Sequence, residues 1–203
     1  MSHRYLQLRD PRSRRDFFRL AGITTVGGSA VFLAACGDDD DKGSGGAGGS
    51  GSGASKGDIA TLNAALDLEN TAVAAYAAGA PLLKGAVLEL AEQFLEQEQE
   101  HVDGLTQAVK DLGGTPSKAK SEQQYADGFP KLQNEQDVLR FAVDLEETAV
   151  AAYIDAQAKL STGELRGTAA AIGTNEAEHI TALLGALGRP PVPDAFVTGK
   201  ASP

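Results

Sequence analysis

The 203-residue chain predicts an all-α protein: an antiparallel four-helix bundle made of two helical hairpins joined by a long crossover. Three observations lead there. One segment occurs twice, as Asp67-Leu68-Glu69-Asn70-Thr71-Ala72-Val73-Ala74-Ala75-Tyr76 and as Asp144-Leu145-Glu146-Glu147-Thr148-Ala149-Val150-Ala151-Ala152-Tyr153. Each copy is followed by a Glu-x-x-His, first Glu98-Gln99-Glu100-His101 and then Glu176-Ala177-Glu178-His179. Glu69 and Glu146 are 77 residues apart and Glu98 and Glu176 are 78 apart, so the one-residue insertion falls near the turns, where Gly85 lines up with Gly163. Each half therefore reads helix, turn, helix.

The front of the chain reads as an address. Residues 1–35 hold six arginines, including Arg14-Arg15 in Ser13-Arg14-Arg15-Asp16-Phe17-Phe18-Arg19-Leu20, which resembles a twin-arginine export signal. The apolar stretch Leu20 to Ala35 is short for a membrane span and is interrupted by Thr24-Thr25 and Gly27-Gly28. It ends in Leu33-Ala34-Ala35-Cys36, which resembles a bacterial lipobox, with cleavage before Cys36 and lipidation of its thiol. An ordinary signal peptide with an unrelated cysteine is the alternative, but it does not use the fact that the only cysteine falls where a lipobox needs one. With Cys36 lipidated, no thiol is left for a disulfide, an iron–sulfur cluster or a nucleophile. Residues 36–56, rich in Gly, Ser and Asp, are expected to be a disordered tether lifting the following domain off a membrane.

Residues 57–203 are the size of one domain. Loss of the signal removes six arginines and two aspartates, leaving 12 basic and 26 acidic side chains and a net charge of −14. That excludes nucleic acid as a partner and an electrostatic grip on anionic lipid. It favours the approach of cations, although acidic surfaces also serve solubility alone.

The first helix is expected from about Asp58 to Lys84, with Leu62, Ala65, Leu66, Glu69, Ala72, Val73 and Tyr76 on one face. Pro81 in its last turn is a point where it ends or kinks. The second runs from about Ala86 to Leu112 and stops at Gly113-Gly114, the third from Glu135 to Leu160, and the fourth from Glu164 to Leu187 before Gly188. The polar stretch Gly113 to Asn134 is long enough to run the height of a bundle. Beyond Gly188, Pro190-Pro191-Val192-Pro193 predicts an extended tail with no fifth helix.

Residues i and i+3 share a helix face, so each Glu-x-x-His aims two ligands at one point. Glu69 lies 16 residues before Gly85 and Glu98 13 after it; Glu146 lies 17 before Gly163 and Glu176 13 after it. The two glutamates of each hairpin thus stand at the same height, about 20–25 Å from their own turn. Four carboxylates and two imidazoles at one level of a four-helix bundle form a ligand set for a pair of iron or manganese ions.

On these residues, Asp58 to Leu187 resembles a ferritin-like di-metal carboxylate domain. With two Glu-x-x-His motifs it is closer to bacterioferritin than to ferritins with one. With its front end, the chain resembles exported bacterial ferritin-like domain proteins. The resemblance implies that Glu69 and His101 hold one metal, Glu146 and His179 the other, and that Glu98 and Glu176 bridge them as the residues carrying the chemistry. It implies two iron ions, with manganese as the other possibility, and oxygen or peroxide as the co-reactant. Tyr76 and Tyr153, each seven residues after a ligand glutamate, either hydrogen-bond the ligand carboxylates or are ordinary core tyrosines.

Glu100, Glu178, Glu96 and Glu147 read as surface carboxylates, and Asp67 and Asp144 as solvated positions. No methionine follows Met1, which excludes the methionine-ligated haem of bacterioferritin, and without further cysteines there is no rubredoxin-type centre. A lipid-anchored chain fits a monomer or dimer better than a closed cage. Three functions remain open: Fe²⁺ oxidation at a di-iron centre of the cell envelope, in metal or oxidant protection; peroxide dismutation at a manganese pair; and a binding or structural lipoprotein in which metal only stabilises the bundle.

Overall fold

The computed structural model describes residues 50–199; the expected export signal, Cys36 and most of the tether lie outside the described residues. The described chain is helical: α1 Ser50–Gly79, a 3₁₀ turn Ala80–Leu82, α2 Gly85–Asp111, a short α3 Glu122–Ala126, α4 Glu135–Lys159 and α5 Gly163–Ala186. The bounds of α2, α4 and α5 lie within one residue of those expected. Two details differ. The first α-helix stops at Gly79, and Pro81 sits in the 3₁₀ turn that follows, because proline cannot donate the hydrogen bond that would continue it. At its other end α1 reaches back to Ser50, into the stretch expected to be a disordered tether through residue 56. Glycine-rich composition argues against helix, but the nucleus is already supplied by the strongly periodic segment downstream. Each residue added to it gains a hydrogen bond without a new nucleation cost.

Helices α2 and α5 end where the sequence says they should. At the end of α2, the Gly113 N–H donates to Lys110 O and the Gly114 N–H to Val109 O. At the end of α5, the Gly188 N–H donates to Gly185 O and the Arg189 N–H to Leu184 O. These are paired bonds of the Schellman type, which need a left-handed residue at the turn. Gly113 and Gly188 have φ of 75° and 69°. The starts of α4 and α5 are capped by Asn134 and Thr162, whose side chains accept from Asp137 N and Leu165 N.

Helix α1 pairs with α2 and α4 with α5 as hairpins, and α1 packs along α4. The α1–α4 pair is antiparallel, as its contacts show. Near the start of α1, Asp58 accepts from Ser161 N at 2.8 Å and from Ser161 Oγ at 2.5 Å. At the other end, Gly79 lies so close to Val138 that a Cβ there would sit 2.6 Å from Cγ1. The connection from α2 to α4 is a true crossover. It leaves beside the start of α1, where Asn63 donates to Thr115 O (3.1 Å) and accepts from Ser117 N (2.7 Å). It enters α4 beside the end of α1, about 25–30 Å away at the helical rise. Midway, Ser121 and Gln124 form a reciprocal capping box on α3, and α3 tucks Tyr125 into the protein, where it stacks on Phe129.

The interior is divided. One apolar cluster, with Leu62, Leu66, Leu105, Val109, Leu160 and Leu165 among its members, fills the end of the bundle near the α4–α5 turn. A second, with Leu83, Phe94, Val138, Val143, Ile180 and Leu183, fills the end near the α1–α2 turn. Each such side chain is worth about 1.5–3 kcal/mol on burial. The layer between the two clusters is not apolar. Among the described residues no helix is long and apolar enough to cross a membrane.

Candidate metal centre

The middle layer holds Glu69, Glu98, Glu146, Glu176 and His179, each 0–1% exposed, together with His101 at 12%. One residue comes from α1, two from α2, one from α4 and two from α5. Within each hairpin the i, i+3 spacing of Glu-x-x-His and the distances from the turn put them level, and the antiparallel packing of α1 along α4 brings the two hairpins' sets together. His101 Nδ1 lies 3.3 Å from Glu69 Oε2, 3.4 Å from Glu98 Oε2 and 3.1 Å from Glu176 Oε1. His179 Nδ1 lies 3.2 Å from Glu98 Oε1, 3.4 Å from Glu146 Oε1 and 3.1 Å from Glu176 Oε2. Glu98 and Glu176 therefore each turn one oxygen to His101 and the other to His179. The side chains fall into two overlapping ligand groups, Glu69–Glu98–His101–Glu176 and Glu98–Glu146–Glu176–His179, with ligand atoms within 4.8 Å of one another in each.

All six residues expected as ligands are thus brought together, with Glu98 and Glu176 common to both groups. The two tyrosines are in contact with the layer, and crosswise. The Tyr76 hydroxyl on α1 donates to Glu146 Oε1 on α4, and the Tyr153 hydroxyl on α4 donates to Glu69 Oε1 on α1. Glu96, Glu100, Glu178, Asp67 and Asp144 are exposed and Glu147 is half-buried; none of them is in either group.

Gln97 and Phe94 escaped the sequence reading. Gln97 Oε1 lies 2.8 Å from His179 Nε2, and Phe94 stacks on the His179 ring with centroids 3.9 Å apart. Both sit on α2 and serve a histidine on α5, so spacing along one helix does not reveal them. The available signal was an uncharged polar residue beside a ligand glutamate.

The electrostatics are those of a site short of positive charge. Burial alone would neutralise the imidazoles, but the carboxylates of Glu176, Glu69 and Glu98 push His101 up to about 12. Those of Glu146, Glu176 and Glu98 push His179 up to about 11. Burial raises Glu69 well above the usual carboxylate range and carries Glu146 up to about 8. Burial acts the same way on Glu98, but the histidines on either side overcome it and hold the carboxyl down to about 2. Burial and the adjoining carboxylates raise Tyr76 and Tyr153, so both hydroxyls stay protonated and act as donors.

Both oxygens of Glu98, both of Glu176 and Nδ1 of His179 are buried without an aligned hydrogen bond. Uncompensated, such groups are costly to bury. These five atoms converge on the layer's interior, and oxygen and imidazole donors of this kind suit divalent iron or manganese. The cluster is consistent with a di-metal site.

The solved structures similar to this chain share its fold. A conserved hypothetical protein from Mycobacterium tuberculosis is 22% identical, with a TM-score of 0.59 over 64% of this chain and 97% of its own. A ferritin-like, diiron-carboxylate protein from Bacillus anthracis is 23% identical, with a TM-score of 0.56 over 66% and 97%. The bacterioferritin-related protein from Bacteroides fragilis, described as a dodecameric thioferritin, is 24% identical, with a TM-score of 0.57 over 66% and 86%. Identities this low speak for the fold alone. No curated protein matches the chain. Residues 57–189 match the ferritin-like domain family, spanning both hairpins and every residue of the buried layer, and the chain belongs to that family.

Proposed function

We propose that this chain is a di-iron carboxylate protein of the cell envelope that oxidises Fe²⁺ with oxygen or peroxide, in protection against free metal and oxidants. The observation that carries this reading is the sharing of Glu98 and Glu176 between two ligand groups, with all four of their oxygens lacking hydrogen-bond partners in the bundle's interior. Glu69 and His101 would hold one ion, Glu146 and His179 the other, and Glu98 and Glu176 both. Four carboxylates match the charge of two divalent ions. Such a pair supplies reversible one-electron chemistry when bound. The chain's own part is to hold the ions, to keep Glu69 and Glu146 oriented through the hydroxyls of Tyr153 and Tyr76, and to exclude water with the apolar clusters above and below. The description of the similar B. anthracis protein as a diiron-carboxylate protein supports the choice of iron.

The proposed location on the outer face of a membrane rests on residues 1–56: a twin-arginine signal, lipidation at Cys36 and a tether. Although the similar B. fragilis protein is a dodecamer, a lipid-anchored chain is proposed to be a monomer or dimer. Metal analysis of protein purified from its exported location, followed by oxygen- and peroxide-dependent Fe²⁺ oxidation, tests the reading. Two irons per chain with turnover support it. Two manganese ions with peroxide dismutation move it to the catalase-like alternative. Bound metal without turnover leaves a structural lipoprotein.

A further inference from the structure

The two halves of the centre carry the same ligands but different supports. Under the 78-residue repeat, Phe94 corresponds to Ile172 and Gln97 to Asn175. His179 is sealed at 1% exposure, its ring stacked on Phe94 and its Nε2 against the Gln97 amide oxygen. An amide oxygen can only accept, so Nε2 keeps its hydrogen and Nδ1 is the nitrogen left for the cluster. His101 also turns Nδ1 inward, but its side chain is 12% exposed. Its counterparts of the two supports are an isoleucine, which has no ring to stack, and an asparagine one methylene shorter.

Resting on the di-metal reading above, we propose that the two positions are unequal by construction. The Glu146–His179 position, with Gln97 as its positioning residue, is filled first and released last. The Glu69–His101 position, which meets the surface along His101, is the exchangeable one. The reasoning is physical. A ligand whose tautomer and ring plane are already fixed loses less freedom when an ion binds. Release from the sealed position requires dislodging a stacked, hydrogen-bonded ring; release at the other requires movement of a ring that is partly exposed.

The test is Mn²⁺ binding to the full-length protein, read by calorimetry and by electron paramagnetic resonance of free Mn²⁺, with release followed after adding a chelator. Two classes of ion are expected, one per chain in each. His101→Ala should keep the tight, slowly released ion, and His179→Ala should lose it. Gln97→Leu should weaken the tight ion by roughly 10–100-fold and leave the weak one unchanged, while Gln97→Glu, which still offers an acceptor, should restore it. Asn175→Leu should change neither class. Thermal melts of the metal-free variants separate loss of binding from loss of fold; if His101→Ala or His179→Ala does not fold, the two release phases of the parent and the Gln97 pair decide. Two ions with one affinity and one release rate overturn the inference while leaving the di-metal reading intact. So does a Gln97→Leu protein with parental binding. A parent chain that binds no Mn²⁺ or Fe²⁺ brings down the di-metal reading, and this inference with it.

Discussion

Tyr153→Phe removes one oxygen from the interior and changes almost nothing else. The Tyr153 side chain is 1% exposed, and its Cβ lies where a Cβ on Gly173 would be only 2.9 Å away, so the ring is wedged between α4 and α5 and phenylalanine will occupy the same space. What is lost is the bond from its hydroxyl to Glu69 Oε1. A buried hydrogen bond whose acceptor is then left unpartnered is worth about 1–3 kcal/mol. In a domain of roughly 150 residues each kcal/mol moves Tm by about 2–4 °C, so the metal-free variant should melt about 2–12 °C lower. Tyr76→Phe, which strips Glu146 of the equivalent bond, should behave alike. Differential scanning calorimetry of both variants without metal is the assay, with far-ultraviolet circular dichroism to show that helix content is kept. If both melt with the parent, the tyrosines are packing residues, and the claim that they orient the outer glutamates fails.

Four further outcomes are expected from the centre and the front of the chain. Glu98→Ala and Glu176→Ala should each abolish binding of the ion pair and any Fe²⁺ oxidation, whereas Glu100→Ala and Glu178→Ala, at exposed positions, should bind two ions as the parent does; equal damage from Glu98→Ala and Glu100→Ala would mean the facing of α2 is wrong. With His101 and His179 raised from 6.5 to about 12 and about 11, their contribution to metal-free stability is full below pH 6.5, declines as pH rises and is gone above the raised values. For the same reason an incoming ion must displace protons from Nδ1, so Mn²⁺ affinity should rise between pH 6 and 8, with proton release measurable in weak buffer; affinity independent of pH in that range would contradict this. Cys36→Ala should move the protein from the membrane to the soluble fraction, and unchanged membrane partition would refute lipidation at that residue.

Much of the centre is legible in the sequence because its geometry is local. A Glu-x-x-His fixes two ligands on one face whatever surrounds it, and counting residues from Gly85 and from Gly163 sets the two glutamates of each hairpin at a common height. The helix ends at Gly113 and Gly188 are legible for the same reason, since a left-handed turn is a requirement of two or three residues. What was not legible depends on contacts between hairpins. Gln97 and Phe94 gain their roles only when α2 meets α5, and the crossing of Tyr76 to Glu146 requires α1 and α4 to run antiparallel at a particular register. The start of α1 at Ser50 was hidden for another reason: composition reports the intrinsic preference of glycine and serine, not the helix already waiting downstream to be extended. The capping box at Ser121 and Gln124 was readable, and it marks the one helical turn inside the crossover.

Because Tyr76 serves Glu146 and Tyr153 serves Glu69, neither hairpin is chemically self-sufficient. Each ligand group also borrows a shared glutamate from the other half. The same patch meets itself across the middle of the bundle, as in a two-fold symmetric dimer. One hairpin docked on a copy of itself would already assemble four carboxylates, two imidazoles and two phenols. Writing the hairpin twice in one chain adds no new chemical group to that set. It adds the freedom for the halves to diverge, which a homodimer is denied because every change appears at both ends. Phe94 and Gln97 opposite Ile172 and Asn175 are where this chain has used that freedom.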